Sequence, residues 1–392
     1  MRKTVFLFGL IFSTLSVMSQ NSEILSVIKI VKEKYAPDGR VEIFDIVATQ
    51  GKDTVILKGE TTSKLAYEEL ILRAGSLYGH LEDSIRLLPD ETLREEIWGV
   101  IYNSVGTIRA EPRYGAELVS QGLLGMPVKV LEKRGGWIRI QTPDKYIGWI
   151  NGSVKIVTKP ELQQYLQKPK VIITAFSTHS AGKPKNDSFP VSDLVAGNML
   201  VVKGSKGKFY QVVYPDGREA YVRKSDAKEI TDWLKSIELT GESIVNTAYR
   251  LMGIPYLWGG TSPKGMDCSG FTKTVYFMHG IMLARDASQQ VHSGNLIDDQ
   301  GDFSEALPGD LLFFGSKGNG ENPKERVIHV GIYIGNNRFI HASDYIHISS
   351  LDPADPLYDE FNANRYLRTK RIIGEVGFSG IETIFENEFY KQ

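Results

Sequence analysis

The chain has 392 residues, 42% hydrophobic and 10% aromatic, a globular composition long enough for about two to four domains. Its 46 Lys and Arg residues against 47 Asp and Glu leave a net charge of -1. That balance excludes nucleic acid as the main partner, since phosphate binding needs a basic surplus. A single cysteine, Cys268, excludes an internal disulfide.

The chain opens "MRKTVFLFGLIFSTLSVMSQ". Arg2 and Lys3 precede an apolar run from Val5 to Leu15, then small and polar residues, the layout of a secretory signal peptide with cleavage near Ser19 or Gln20. The run is too short to span a bilayer, and no later segment is apolar enough to do so. No cysteine stands at the cleavage point to carry a lipid anchor. The expected mature protein is therefore exported, periplasmic or secreted, and soluble, with no stable membrane insertion.

Residues 22 to 95 mix two periods. "SEILSVIKIVKEKY" places Ile24, Ile28, Ile30, Val31 and Tyr35 on a helical face behind a Ser22 cap. "RVEIFDIVAT" and "DTVILKGE" alternate around Gln50-Gly51-Lys52 and predict a hairpin; "SKLAYEELILRAGSLYG" is again helical. Two stretches then repeat one pattern, "LLGMPVKVLEKRGGWIRIQTPDKYIGWINGSVKIV" and "VAGNMLVVKGSKGKFYQVVYPDGREAYVRKSDAKEI". In both, short alternating strands are divided by Gly-marked and polar turns, with Trp137 matching Phe209 or Tyr210. Such units predict small β-barrels and resemble bacterial SH3-type domains.

From about Asp232 the texture changes. "GESIVNTAYRLMGIPYLWGG" is an amphipathic helix followed by a Gly-rich aromatic loop. After "DCSGFTKTVYFMHG" come the strand-like runs "GDLLFFG", "HVGIYIGN" and "RFIHAS". Helices followed by an antiparallel sheet predict an α+β domain.

Exported chains pair their structural cysteines, so Cys268 is a buried small hydrophobe, an intermolecular bridge or a reactive thiol. A helix starting at Asp267 or Cys268 and ended by Gly280 would set the thiol at its N-terminus. The unpaired N–H groups there favour a thiolate and can hold an oxyanion. A nucleophile needs a base, and His329 and His341 lie on adjacent predicted strands. With a three-residue loop of Gly335, Asn336 and Asn337, His341 faces Gly331 and both imidazoles share a face. One then acts on Cys268 while the other orients it. His80, His179, His279, His292 and His347 show no such pattern.

Together "DCSGF", "LPGDLLFF", "HVGIYIG" and "FIHAS" resemble the NlpC-type cell-wall cysteine peptidases, over roughly residues 235 to 372. The resemblance implies a papain-like fold, with Cys268 as nucleophile, His329 as base and His341 as the orienting group. Two SH3-type barrels ahead of it resemble the dipeptidyl-peptidase VI-type subfamily, γ-D-glutamyl-L-diamino acid endopeptidases that require a free N-terminal L-Ala. That likeness implies Asp286 in "LARDASQQ" as acceptor for the substrate ammonium, the alternative being a surface Arg285–Asp286 pair. It also implies Tyr114 and Glu117 of the first barrel, Trp258, Asp267, Ser269 and Ser288 as substrate contacts. The "SKGNGENPKER" insert would form a longer surface loop.

The expected organisation is a multidomain chain. It comprises a signal peptide (1–19), a small α/β domain (20–95), SH3-type domains at 96–158 and 159–231, and an α+β papain-like peptidase domain (232–392). The expected partners are peptidoglycan-derived peptides, handled by a monomer without metal or cofactor. A general hydrolase of intact wall, anchored by its SH3-type domains, is the alternative.

Overall fold

The computed structural model describes residues 23–50, 54–318, 324–377 and 381–391. The proposed signal peptide, the turn at 51–53 and residues 319–323 of the insert lie outside them. The chain divides into two compact units, Met1–Glu95 and Glu96–Gln392.

In the first unit a helix over 23–35 and the helix Lys64–Leu77 pack Ile24, Ile28, Val31, Leu70 and Ala74 against Val55 and Leu57. Ser63 caps the second helix by accepting the Ala66 N–H. Strands Phe44–Gln50 and Val55–Thr61 pair antiparallel, as their alternation predicts. A third strand, Leu81–Leu87, pairs parallel to Val55–Thr61. It escaped the sequence reading because "LEDSIRL" is mostly exposed and has little apolar alternation. Its place comes from the helical crossover that parallel pairing requires.

The second unit begins with two seven-stranded antiparallel sheets. The first runs Val154–Val157, Trp98–Ile101, Pro127–Arg134, Trp137–Gln141, Ile147–Asn151, Val105–Arg109, Leu118–Leu123. The second, read from Ala227–Glu229 through Lys170–Ile173, Met199–Lys206, Phe209–Val213, Glu219–Arg223 and Ser177–Ala181 to Pro190–Val195, repeats that order strand for strand. Trp137 opens its strand opposite Arg134 and Phe209 opens its own opposite Lys206, so Phe209 rather than Tyr210 is the counterpart.

The rest of the unit stacks helices on a six-stranded antiparallel sheet. Its order is Asn295–Asp298, Tyr366–Arg371, Leu311–Ser316, Arg326–Gly335, Arg338–Ser343, Tyr345–Ser350. The helix Cys268–Phe277 buries Phe271, Val275 and Tyr276 against Phe313, Val330, Ile332 and Ile340 of that sheet. Thr240 and Ser243 form a capping box on the preceding helix, Gly241–Tyr249. The last residues return to the barrels: Phe389 meets Trp98 edge-on at 5.5 Å, and Asn387 donates to the Pro143 carbonyl. No helix among the described residues is long and apolar enough to cross a membrane.

Candidate active site

Asp267 is the N-cap of the Cys268 helix, its Oδ1 accepting the Gly270 N–H at 2.7 Å. The glycine at 270 has a steric reason. A Cβ there would sit 1.9 Å from the Gly260 carbonyl oxygen, so only glycine lets the 257–260 loop close over the helix start. The thiol is buried, 9% exposed, and the backbone N–H groups of Val330, in the facing sheet, and of Ser269 favour its ionised form.

Val330 follows His329 on the Arg326–Gly335 strand. His329 Nε2 and His341 Nδ1 lie 2.8 Å apart, so the two imidazoles share a face as expected. The turn that achieves this differs from the three-residue loop. Gly335 pairs with Arg338, and Asn336 and Asn337 form a two-residue turn with φ of 53° and 56°. Two left-handed residues match the twist of a hairpin, and asparagine tolerates that conformation. A two-residue loop alone would send the histidines to opposite faces. A bulge between Tyr333 and Gly335 takes up the extra residue and restores the register.

Electrostatics in this closed pocket run against the expected thiolate. Burial and the neighbouring Asp267 carboxylate push the Cys268 thiol up to about 12, although the two N–H groups and Arg285 pull the other way. Burial, with Arg365 and His347 nearby, pulls His329 down to about 3. Desolvation of the charged forms outweighs the helix terminus, so thiol and imidazole rest neutral.

The first seven-stranded sheet closes one side. The Trp258 indole donates to Glu117 Oε1 at 2.7 Å, and the Tyr146 hydroxyl donates to Asp286 Oδ2 at 3.1 Å. Gln121 Oε1 accepts the Thr261 N–H and the Ser262 hydroxyl, at 2.9 and 2.8 Å. Gly259, with φ of 77°, passes so close to the Leu118 carbonyl that a Cβ would lie 2.2 Å from it. The structure thus gathers Glu117, Trp258 and Asp286 where the two parts meet. Tyr114, 72% exposed, lies on the same 110–117 loop, its hydroxyl on Asn151 at 3.0 Å and its ring edge-on to Trp137. Ser288 is half-buried on the Ala287–Gln290 helix, which Gln290 ties to the Ser269 carbonyl.

Two expected substrate contacts are engaged elsewhere. Asp267 accepts from Gly259, Gly270, Ser269 and both terminal nitrogens of Arg285, and the Ser269 hydroxyl accepts from Arg285 at 3.1 Å. Arg285 is 1% exposed and spends its charge on Asp267 at 2.5 Å, with Asp286 farther at 3.8 Å. Arg285 and Asp286 thus do pair, but with Arg285 buried, so the pair is not the surface one named as the alternative. Tyr146 and Ser349 were missed: Tyr146 meets Asp286 across 140 residues, and Ser349 reaches His341, eight residues away, only through the register of the next strand. Among the described residues no cluster of three His, Cys, Asp or Glu side chains could hold a metal ion.

A thiol at a helix start with two hydrogen-bonded imidazoles on the neighbouring sheet suits a cysteine peptidase, the class this fold and site define. Residues 253–371 match the NlpC/P60 family profile, and residues 108–153 match the bacterial dipeptidyl-peptidase Sh3 domain. A γ-D-glutamyl-L-lysine dipeptidyl-peptidase of Bacillus cereus is 30% identical over 264 residues, 64% of this chain and 76% of that one. Dipeptidyl-peptidase 6 of Lysinibacillus sphaericus is 29% identical over 275 residues, covering 66% and 93%. A solved NlpC/P60 family protein from Bacillus cereus ATCC 10987 superposes with a TM-score of 0.59 at 24% identity, over 70% of this chain and 99% of that one. The chain belongs to the NlpC/P60 family, with a bacterial SH3 domain ahead of its catalytic domain.

Proposed function

We propose that this chain is a cysteine endopeptidase cutting between γ-D-glutamate and the diamino acid of peptidoglycan stem peptides that carry a free N-terminal L-Ala. The observation that carries this reading is the Tyr146–Asp286 contact, which holds a half-buried carboxylate where the first seven-stranded sheet meets the Ala287–Gln290 helix. A substrate ammonium docked on Asp286 would account for a free N-terminus being required. The relatives named for dipeptidyl-peptidase activity support the same reading.

In the proposed reaction the Cys268 proton passes to the free ring nitrogen of His329 as Sγ attacks the γ-carbonyl carbon. The oxyanion rests on N–H groups at the helix N-terminus. Collapse breaks the C–N bond, His329 returns the proton to the leaving amine, and a thioester remains. Water, deprotonated by His329, releases the dipeptide and restores the thiol. His341 orients His329. Thiol and imidazole supply nucleophile and acid–base together, and one chain supplies every group.

Tyr114, Glu117, Trp258 and Ser288 are proposed as substrate contacts. For Asp267 and Ser269 the Arg285 network favours holding the site over holding the ligand. The finer organisation belongs to the same proposal: two SH3-type barrels, supported by their identical strand order, a small N-terminal α/β domain, and export by the apolar Val5–Leu15 segment.

The test is incubation with L-Ala-γ-D-Glu-meso-diaminopimelate and with its N-acetylated form, products read by mass. L-Ala-γ-D-Glu should appear from the free peptide alone, and Cys268→Ala should lower the rate by on the order of 10^4-fold or more. Equal cleavage of both peptides would replace this reading with the general wall hydrolase.

A further inference from the structure

Both ring nitrogens of His341 are engaged. Nδ1 meets His329 Nε2 at 2.8 Å, while Nε2 lies 3.0 Å from Ser349 Oγ and 4.0 Å from Asp359 Oδ2. Ser349 stands diagonally across the ladder from His341, on the face that also carries His347. Against the cost of burial, Asn362, His341 and the Ser349 hydroxyl hold the Asp359 carboxylate below its ordinary value, which places that hydroxyl between His341 and the carboxylate. Asp359 caps the Glu360–Ala363 helix, accepting the Asn362 N–H at 2.9 Å and the Asn362 side-chain amide.

An ionised carboxylate only accepts, so the direction of every bond in the chain follows from its Asp359 end. Ser349 must donate to Asp359, which leaves its Oγ to accept from His341 Nε2–H. His341 Nδ1 then carries a lone pair and accepts from His329 Nε2–H. The remaining nitrogen of His329, Nδ1, is left unprotonated to receive the thiol proton. Reverse the serine, and His341 would donate from Nδ1. His329 would then hold its proton on Nδ1 and have nothing to offer Cys268.

Charge agrees with this direction. The charged or titratable groups acting on His341 are His329, His347, Arg365 and Asp359, and only Asp359 is an anion. Arg365, held by Asn362 Oδ1 at 3.0 and 2.7 Å, and His347, its ring 4.5 Å from that of His341, both oppose protonation of the pair. Cys268 itself also feels Asp267, Arg285 and Tyr256.

We propose that Asp359, acting through the Ser349 hydroxyl, fixes the Nε2–H tautomer of His341 and offsets the charge of the imidazolium that forms at His329. Both are positioning residues: neither takes a proton or meets the substrate. The proposal rests on Cys268, His329 and His341 being the acting groups.

The lone cysteine allows a test that needs no substrate. Alkylation of Cys268 by iodoacetamide is followed against pH in the full chain and in Ser349→Ala, Ser349→Thr and Asp359→Asn, with 15N NMR of His341 alongside. Asp359→Asn and Ser349→Ala should slow alkylation at neutral pH by about 10-fold or more, short of the ~10^4-fold lost when a direct orienter fails. The rising limb should move to higher pH, and the His341 proton should shift to Nδ1. Peptide hydrolysis should lose kcat with KM unchanged, and Ser349→Thr, which keeps the hydroxyl, should recover most of it. A wild-type pH profile and tautomer in Asp359→Asn would overturn the proposal, as would lost kcat with the His341 proton still on Nε2. If no variant or parent cleaves the peptide, the substrate reading falls while alkylation and NMR still decide this one.

Discussion

The two seven-stranded sheets share a strand order yet serve the catalytic helix differently. The first reaches the Cys268 end and the flank, through Glu117 to Trp258, Gln121 to Thr261 and Ser262, Tyr146 to Asp286 and a buried Asp144–Lys273 ion pair at 2.7 Å. The second meets the opposite end, where Gly197 packs on the Phe277 ring, and reaches the stretch ahead of Cys268 only through a half-exposed Asp193–Lys264 pair at 2.9 Å. Ten helical residues, about 15 Å, separate those ends. A duplicated fold therefore does not carry a duplicated role. What a copy contributes depends on which end of the neighbouring helix it covers.

The hardest break of this comparison is Asp144→Ala, which strands the Lys273 ammonium in a buried setting. It should cost about 3–5 kcal/mol in denaturant unfolding and loosen the first sheet from the helix. Acid should divide the same regions more gently. His329 ionises near its ordinary 6.5 when unfolded and only at about 3 when folded, so its stability term is whole above pH 6.5 and fades as pH falls toward 3. The loss reaches at most about 1.4 kcal/mol per pH unit. Hydrogen exchange between pH 6.5 and 5 should show lost protection in Arg326–Gly335 before any in the second sheet, and a shallower profile in His329→Gln, where only the buried His341, also lowered, remains to drive the loss. A smaller effect is expected from Tyr146→Phe, which removes one hydrogen bond to Asp286. KM for the free-amine peptide should change by about 2- to 10-fold with kcat held. Asp193→Ala, the matching lesion in the second sheet, should cost no more than about 1 kcal/mol, because its pair is half in water. Comparable costs for Asp144→Ala and Asp193→Ala would erase the distinction.

Local chemistry was legible from the chain. Asp267 as a cap, Cys268 at a helix start and the repeated strand pattern each depend on residues a few positions apart, where backbone geometry leaves few options. The shared face of His329 and His341 was also legible, though through a different turn. A parity argument counts residues and cannot see a bulge. The thiol's ionisation was not legible. The helix terminus is written locally, but the desolvation that outweighs it comes from the sheet closing over Cys268.

By itself the sequence determined the repeat and most elements, Leu81–Leu87 excepted, because periodicity and capping are properties of short stretches. Tertiary structure alone decided that Arg285 serves Asp267 and that Tyr146 meets Asp286 across 140 residues. It also decided that Ser349 and Asp359 stand behind His341. Those pairings arise because a buried charge or hydroxyl must find a partner wherever the packed chain brings one within about 3 Å, and no local pattern encodes that distance.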